Sequence, residues 1–112
     1  MKLLLDGVTA NGAGPSYRVA GSASGEERLI ATIYSDPASN FDGGTATVQV
    51  SIDDSTWLDA IDVNGTAADL SAPGSILRID LEANYVRAIL AGAGGAADVT
   101  ISLGARANPT LA

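Results

Sequence analysis

Residues 45–52 read Thr-Ala-Thr-Val-Gln-Val-Ser-Ile, and every second side chain is apolar. In an extended strand successive side chains point to opposite faces. Ala46, Val48, Val50 and Ile52 therefore share one face, and Thr45, Thr47, Gln49 and Ser51 share the other. A helix would scatter the same residues around its circumference. This period of two predicts a strand with one face in a core and one in water. It recurs at 76–81, where Leu77, Ile79 and Leu81 alternate with Arg78 and Asp80. It recurs again where Val99, Ile101 and Leu103 alternate with Thr100 and Ser102. No segment sustains a 3.6-residue period, and 67–71 amounts to at most one helical turn.

Other segments are less regular. Residues 29–34 are rich in β-branched and aromatic side chains, which favour strands. Residues 85–91 are apolar apart from Arg87, which predicts a strand covered on both faces. Residues 57–63 alternate Trp57, Asp59, Ile61 and Val63 against Leu58, Ala60 and Asp62. Residues 2–5 and 17–20 are short and are expected at sheet edges. Turn chemistry separates these runs, at Asn11-Gly12, Gly14-Pro15, Asp42-Gly43-Gly44, Asp53-Asp54-Ser55, Asn64-Gly65, Pro73-Gly74 and 92–95. Short strands separated by such turns predict an all-β chain: an antiparallel β-sandwich, jelly-roll-like, of about eight short strands. The length fits one domain over 1–112, with residues 1–8 an N-terminal arm or an edge strand.

Leu, Ile, Val and Phe make up 27 of the 112 residues, enough for a core but a thin one. With one Phe, one Trp and one Met, packing must rest on small aliphatics. Val48, Val50, Ile79 and Ile101 are the expected core, with Trp57 packed on aliphatics near a strand start. Gly and Ala fill 33 positions, and small side chains bury little area each, so subunit contacts are expected to add stability. Leu3, Leu4 and Leu5 are candidate interface residues, the other reading being an ordinary edge strand. Arg87, set in an apolar strand, needs a carboxylate or carbonyl partner inside the subunit or across an interface, and joins them as a candidate. Deleting residues 1–8 is expected to leave the β-fold and weaken assembly.

The chain has no Cys and no His. That removes thiol nucleophiles, disulfides, an imidazole base and the usual zinc or copper ligands. Its net charge of -7, from 13 Asp+Glu against 6 Lys+Arg, argues against a nucleic-acid partner. No apolar run approaches the ~18–20 residues of a membrane helix, so no membrane partner is expected. Asp6 and Gly7 break the Leu-rich start well short of a secretory signal, so synthesis in a cytosol is expected. The sequon Asn64-Gly65-Thr66 is then incidental.

Asp53, Asp54, Asp59 and Asp62 are clustered carboxylates. A glycosidase needs two of them set across a cleft, whereas Asp in a hairpin turn commonly bonds its own backbone. No catalytic residue is assigned. Asp36, Asn40 and Asp42 offer oxygen ligands but miss the EF-hand order, and no metal or other cofactor is expected. Gly92-Ala93-Gly94-Gly95 matches no phosphate loop and reads as a hairpin. A lone Trp57 is a poor sugar-stacking platform.

Several segments carry a resemblance in their order. Met1-Lys2-Leu3-Leu4-Leu5 is followed by Thr9-Ala10-Asn11-Gly12-Ala13-Gly14. Then come Thr47-Val48-Gln49-Val50-Ser51-Ile52-Asp53-Asp54-Ser55-Thr56-Trp57, Tyr85-Val86-Arg87-Ala88, and Gly94-Gly95-Ala96-Ala97-Asp98-Val99-Thr100-Ile101. Together they resemble the small β-rich structural proteins of tailed bacteriophages. These proteins show a Leu-rich start, a Gly-Ala-Gly turn, a hairpin ending in Trp, a Tyr-Val-Arg-Ala strand and a Gly-rich last hairpin. Asp54 stands where that pattern has Gly, which puts the turn type in question. The resemblance implies a non-enzymatic virion component of the capsid decoration (cement) type, bound to the major capsid protein or another virion protein. It also implies a homo-oligomer, with a trimer as the expected state. A tail, spike or fibre component and a carbohydrate-binding β-sandwich module are the alternatives.

Overall fold

The computed structural model describes residues 2–18, 29–62, 64–81 and 84–107. It is all-β. The strands are β1 (Lys2–Val8), β2 (Gly12–Ala13), β3 (Tyr17–Arg18), β4 (Leu29–Ser35), β5 (Thr45–Ser51), β6 (Leu58–Asp59), β7 (Asp69–Leu70), β8 (Ile76–Leu81), β9 (Tyr85–Ala91) and β10 (Val99–Ala107). One sheet has the order β1-β10-β4-β8. In the other, β9 and β5 lie side by side; β2 and β3 both pair with β9, and β6 and β7 both pair with β5. Every named pairing is antiparallel.

Counting β2 with β3, and β6 with β7, as single interrupted strands leaves eight. Their order is first-eighth-third-sixth in one sheet and second-seventh-fourth-fifth in the other. That is the jelly roll, two Greek keys wrapped into a two-layer sandwich. The strands change sheet again and again along the chain, so the fold is held by pairings distant in sequence.

The core lies between the sheets. Leu4, Leu5, Ile33, Val48, Ile79, Leu90, Val99 and Ile101 are its largest fully buried apolar side chains. Val48, Ile79 and Ile101 are thus where the alternation predicts them, and Val50 is half-buried against the same cluster. Among the described residues, six of the eighteen buried apolar positions are alanine, which is what makes the core thin.

Five expectations need correction. Leu4 and Leu5 are 0% and 1% exposed, so they belong to the subunit's own core and not to an interface; Leu3 alone of the three is exposed. A register shift between Leu3 and Leu5 in the β1–β10 pairing is the cause. A bulge inserts an extra residue and lets two consecutive side chains face inward. Removing residues 1–8 would therefore remove an edge strand and two core leucines, and would not leave the fold intact. Ile52 does not continue the inward face of β5, because the strand ends at Ser51, and it is 77% exposed. Asp69 and Leu70, inside the one-turn helix candidate, pair instead with Thr47 and Ala46 of β5. Strand β9 is covered on one face only: Val86, Ala88 and Leu90 are buried, while Tyr85, Arg87 and Ile89 are half-buried.

Candidate functional site

The outer face of the second sheet carries a polar row in register across three strands. Arg87 of β9 lies opposite Gln49 of β5, and Gln49 lies opposite Asp59 of β6. The Arg87 Nε–H donates to Gln49 Oε1 at 2.9 Å, and Gln49 Nε2 donates to Asp59 Oδ1 at 3.1 Å. Trp57, one residue before β6, lays its ring over the Arg87 guanidinium, 4.3 Å from carbon to centroid. In the next row Thr47 Oγ1 donates to Asp69 Oδ1 at 2.7 Å.

Trp57 is therefore half-buried on the outside of the sheet, which corrects its assignment to the core. The inner face of the same strands is lined by Ala46, Val48, Ala60 and Ala88, small side chains packed between the sheets. Outside, the electron-rich ring face meets a cation. Of the two partners expected for Arg87, the intrachain one is present, as the side-chain carbonyl of Gln49. Arg87→Ala is expected to red-shift the emission of Trp57, the chain's one tryptophan. It is also expected to cost about 1 kcal/mol of stability, from a lost ring contact and a lost hydrogen bond. An unshifted spectrum would contradict this placement.

Of the clustered carboxylates, Asp59 belongs to β6, while Asp53 and Asp62 hold turns. Asp53 Oδ1 accepts from the amides of Thr56 at 2.8 Å and Ser55 at 2.9 Å, and from the Ser51 hydroxyl at 3.0 Å. Asp62 Oδ1 likewise accepts from the amides of Asn64 and Thr66. Asp54 takes φ +62°, the left-handed conformation for which Gly is the default, and which Asp tolerates. Donation from the Thr56 amide first, then from the Ser55 amide and the Ser51 hydroxyl, holds the Asp53 carboxyl below its ordinary pKa of 3.8. A depressed pKa means a stabilising contribution that is present above the ordinary value and lost as pH falls through the folded one. On acidification below about pH 3.8 the Ser55 and Thr56 amides should lose protection from hydrogen exchange. Asp53→Asn should abolish that pH dependence; its persistence would show that another group controls the hairpin.

At the opposite end of the sandwich the loops are stitched together. Asn40 Nδ2 donates to the Ala96 carbonyl, and its Oδ1 accepts from the Asp42 amide. Asp42 Oδ2 accepts from the Ala96 amide. Asn11 bonds both the amide and the carbonyl of Ala93. The Gly-rich 92–95 loop and the Ala96 that follows it are thus fixed by three Asx side chains, Asn11 at Ala93 and Asn40 and Asp42 at Ala96. Asp36 accepts from the Ala38 amide and, with Ala38, Ser39, Asp98 and Thr100, lines a polar recess of about 150 Å³. Asp36, Asn40 and Asp42, the oxygen-bearing candidates for a loop cation, hold separate backbone groups. Among the described residues no three Asp or Glu side chains gather as a metal site.

Arg87, Trp57 and the carboxylate Asp59 stand out in the sequence, but neither their meeting in one site nor the part of Gln49 between them is visible there. The available signal was Gln49 and Arg87 as the longest polar side chains on the outer faces of β5 and β9. Comparison with family models, curated proteins and solved structures finds no match for the chain. Among the described residues no helix is long and apolar enough to cross a membrane.

Proposed function

We propose that the chain is a non-enzymatic virion structural protein of the capsid decoration (cement) type, one that binds the assembled shell of a tailed phage and stabilises it. The observation that carries this reading is the exposure of large aliphatic side chains in a molecule in which a third of the described buried apolar positions are alanine. Ile52, Leu58, Ile61 and Ile76 are 77%, 69%, 58% and 70% exposed. Leu58 lies directly opposite Val50, and Ile52 follows two positions beyond Val50, so apolar side chains gather at the β5–β6 hairpin. A protein that works alone gains by burying such residues; one that works by being bound uses them as contacts. The jelly roll recurs in shell-forming and sugar-binding proteins, and this supports the reading by analogy. The ordered motifs of the phage-type resemblance supply the virion half of it.

The physical mechanism is mass action. A subunit that binds the assembled shell but not its free parts stabilises the shell, and several weak contacts per oligomer combine through avidity. The partner is the major capsid protein or another virion protein, and the trimer implied by the resemblance would supply the multivalency. The tail, spike or fibre alternative uses the same docking chemistry at fewer sites. The carbohydrate module is less favoured because one face of Trp57 is taken by Arg87. The test is to add the purified protein to shells that lack it. Retention on assembled shells, no binding to free shell protein and a higher temperature of shell disruption support the proposal. Equal binding to free and assembled shell protein would overturn it.

A further inference from the structure

We infer that the outer face of the second sheet, around Arg87 and Trp57, is the surface that docks a protein partner, through a carboxylate that the partner supplies. The inference rests on the docking reading above and names its face and the partner's chemistry. Arg87 uses Nε to bond Gln49, and its guanidinium carbon lies over the Trp57 ring. Among the described residues it has no ion-pair partner, so both terminal nitrogens of a guanidinium already fixed in orientation remain open. That is the fork to which a carboxylate binds through two parallel hydrogen bonds. Holding it in advance lowers the entropy lost on binding.

A second cation stands on the same face. Arg18 of β3 lies opposite Tyr85, two positions along β9 from Arg87, and it too has no ion-pair partner among the described residues. The acid next to Arg87 in the row, Asp59, is engaged by Gln49. Arg, Trp and Tyr side by side form the composition that dominates interface hot spots. The rest of the chain's charge sharpens the choice. A molecule of net charge -7 repels an acidic partner, so two open arginines on one face orient its approach. A sugar ring is a poorer occupant, because the guanidinium already covers one face of the indole.

The test uses the whole protein and two probes: purified phage shells, and poly-L-glutamate as a bare carboxylate source. Arg87→Glu is expected to weaken shell binding by at least about 30-fold, the effect of losing a central hot spot. Arg18→Glu is expected to weaken it less. Arg87→Lys is expected to retain part of the affinity and to place an amine against the partner's carboxylate. A carbodiimide then joins the two as an amide, taking up the lost water as a urea. Lys2 is the chain's one lysine and belongs to β1 of the other sheet, so a crosslink at position 87 is unambiguous. The melting temperature of each variant separates lost binding from lost folding.

A folded Arg87→Glu variant that binds shells as tightly as the unaltered protein, with no crosslink at position 87, overturns the inference and leaves the docking reading standing. If the unaltered protein ignores shells, the shell reading fails. The face is then judged by poly-L-glutamate: a change in Trp57 emission that disappears in Arg87→Gln supports it, and no change overturns it.

Discussion

Leu4→Ala and Leu5→Ala are each expected to lower the unfolding free energy of the isolated subunit by about 2–5 kcal/mol, read from urea titration. Leu3→Ala is expected to cost less than about 1 kcal/mol, since its side chain is already partly in water. Both buried leucines lie between the sheets, and cutting either to a methyl group removes transfer free energy and leaves a cavity. A core in which alanine is common has few bulky neighbours to close around it. Against a total stability of about 5–15 kcal/mol, the double variant is expected to be unfolded at ordinary temperature. Deletion of residues 1–8 should act in the same direction, because β10 would also lose its β1 partner. Unchanged urea midpoints for both single variants would show that the leucines do not support the fold.

Gly14→Ala is expected to be nearly as damaging, at about 3 kcal/mol, the upper part of the usual overpacking range. The Gly14 amide donates to the Ala88 carbonyl at 2.8 Å, which ties it to β9 of the second sheet. Its α-carbon faces the first sheet, where an added Cβ would collide with the Leu4 carbonyl oxygen and lie 2.9 Å from Leu5 Cδ2. The obstacle is backbone, so no rotamer change relieves it. Nearby, the Tyr17 hydroxyl donates to the Leu3 carbonyl at 3.1 Å, a second link between the layers at the same corner. The melting temperature should fall by about 12 °C, at about 4 °C per kcal/mol for a domain near this size. A fall of under about 2 °C would mean that this corner opens without cost.

The parts of the fold that the sequence makes legible are those where one face is buried without interruption. The runs around Val48, Ile79 and Ile101 carry a period of two because burial repeats at that period. Leu3-Leu4-Leu5 is opaque for the opposite reason: a bulge breaks the period, and three identical residues do not say which of them turns inward. Strands β6 and β7 have two residues each, too few to show any period, and they form because β5 offers an edge. Asp53 is readable because turn capping is local. The Trp57–Arg87 site is not, since its members are 30 positions apart and meet only once β5, β6 and β9 are in register. Trp57 stays outside the core because a cation lies above the sheet, a fact of pairing that no single segment records.

The central claim is that this jelly roll works by docking on an assembled shell, and imaging tests it most directly. On the proposed reading, tailed-phage particles carrying a labelled copy of the chain would be viewed by electron microscopy at low resolution. The expected result is label spread in many copies over the whole capsid surface. Label confined to the tail or a single vertex, or absent from particles altogether, would contradict the account.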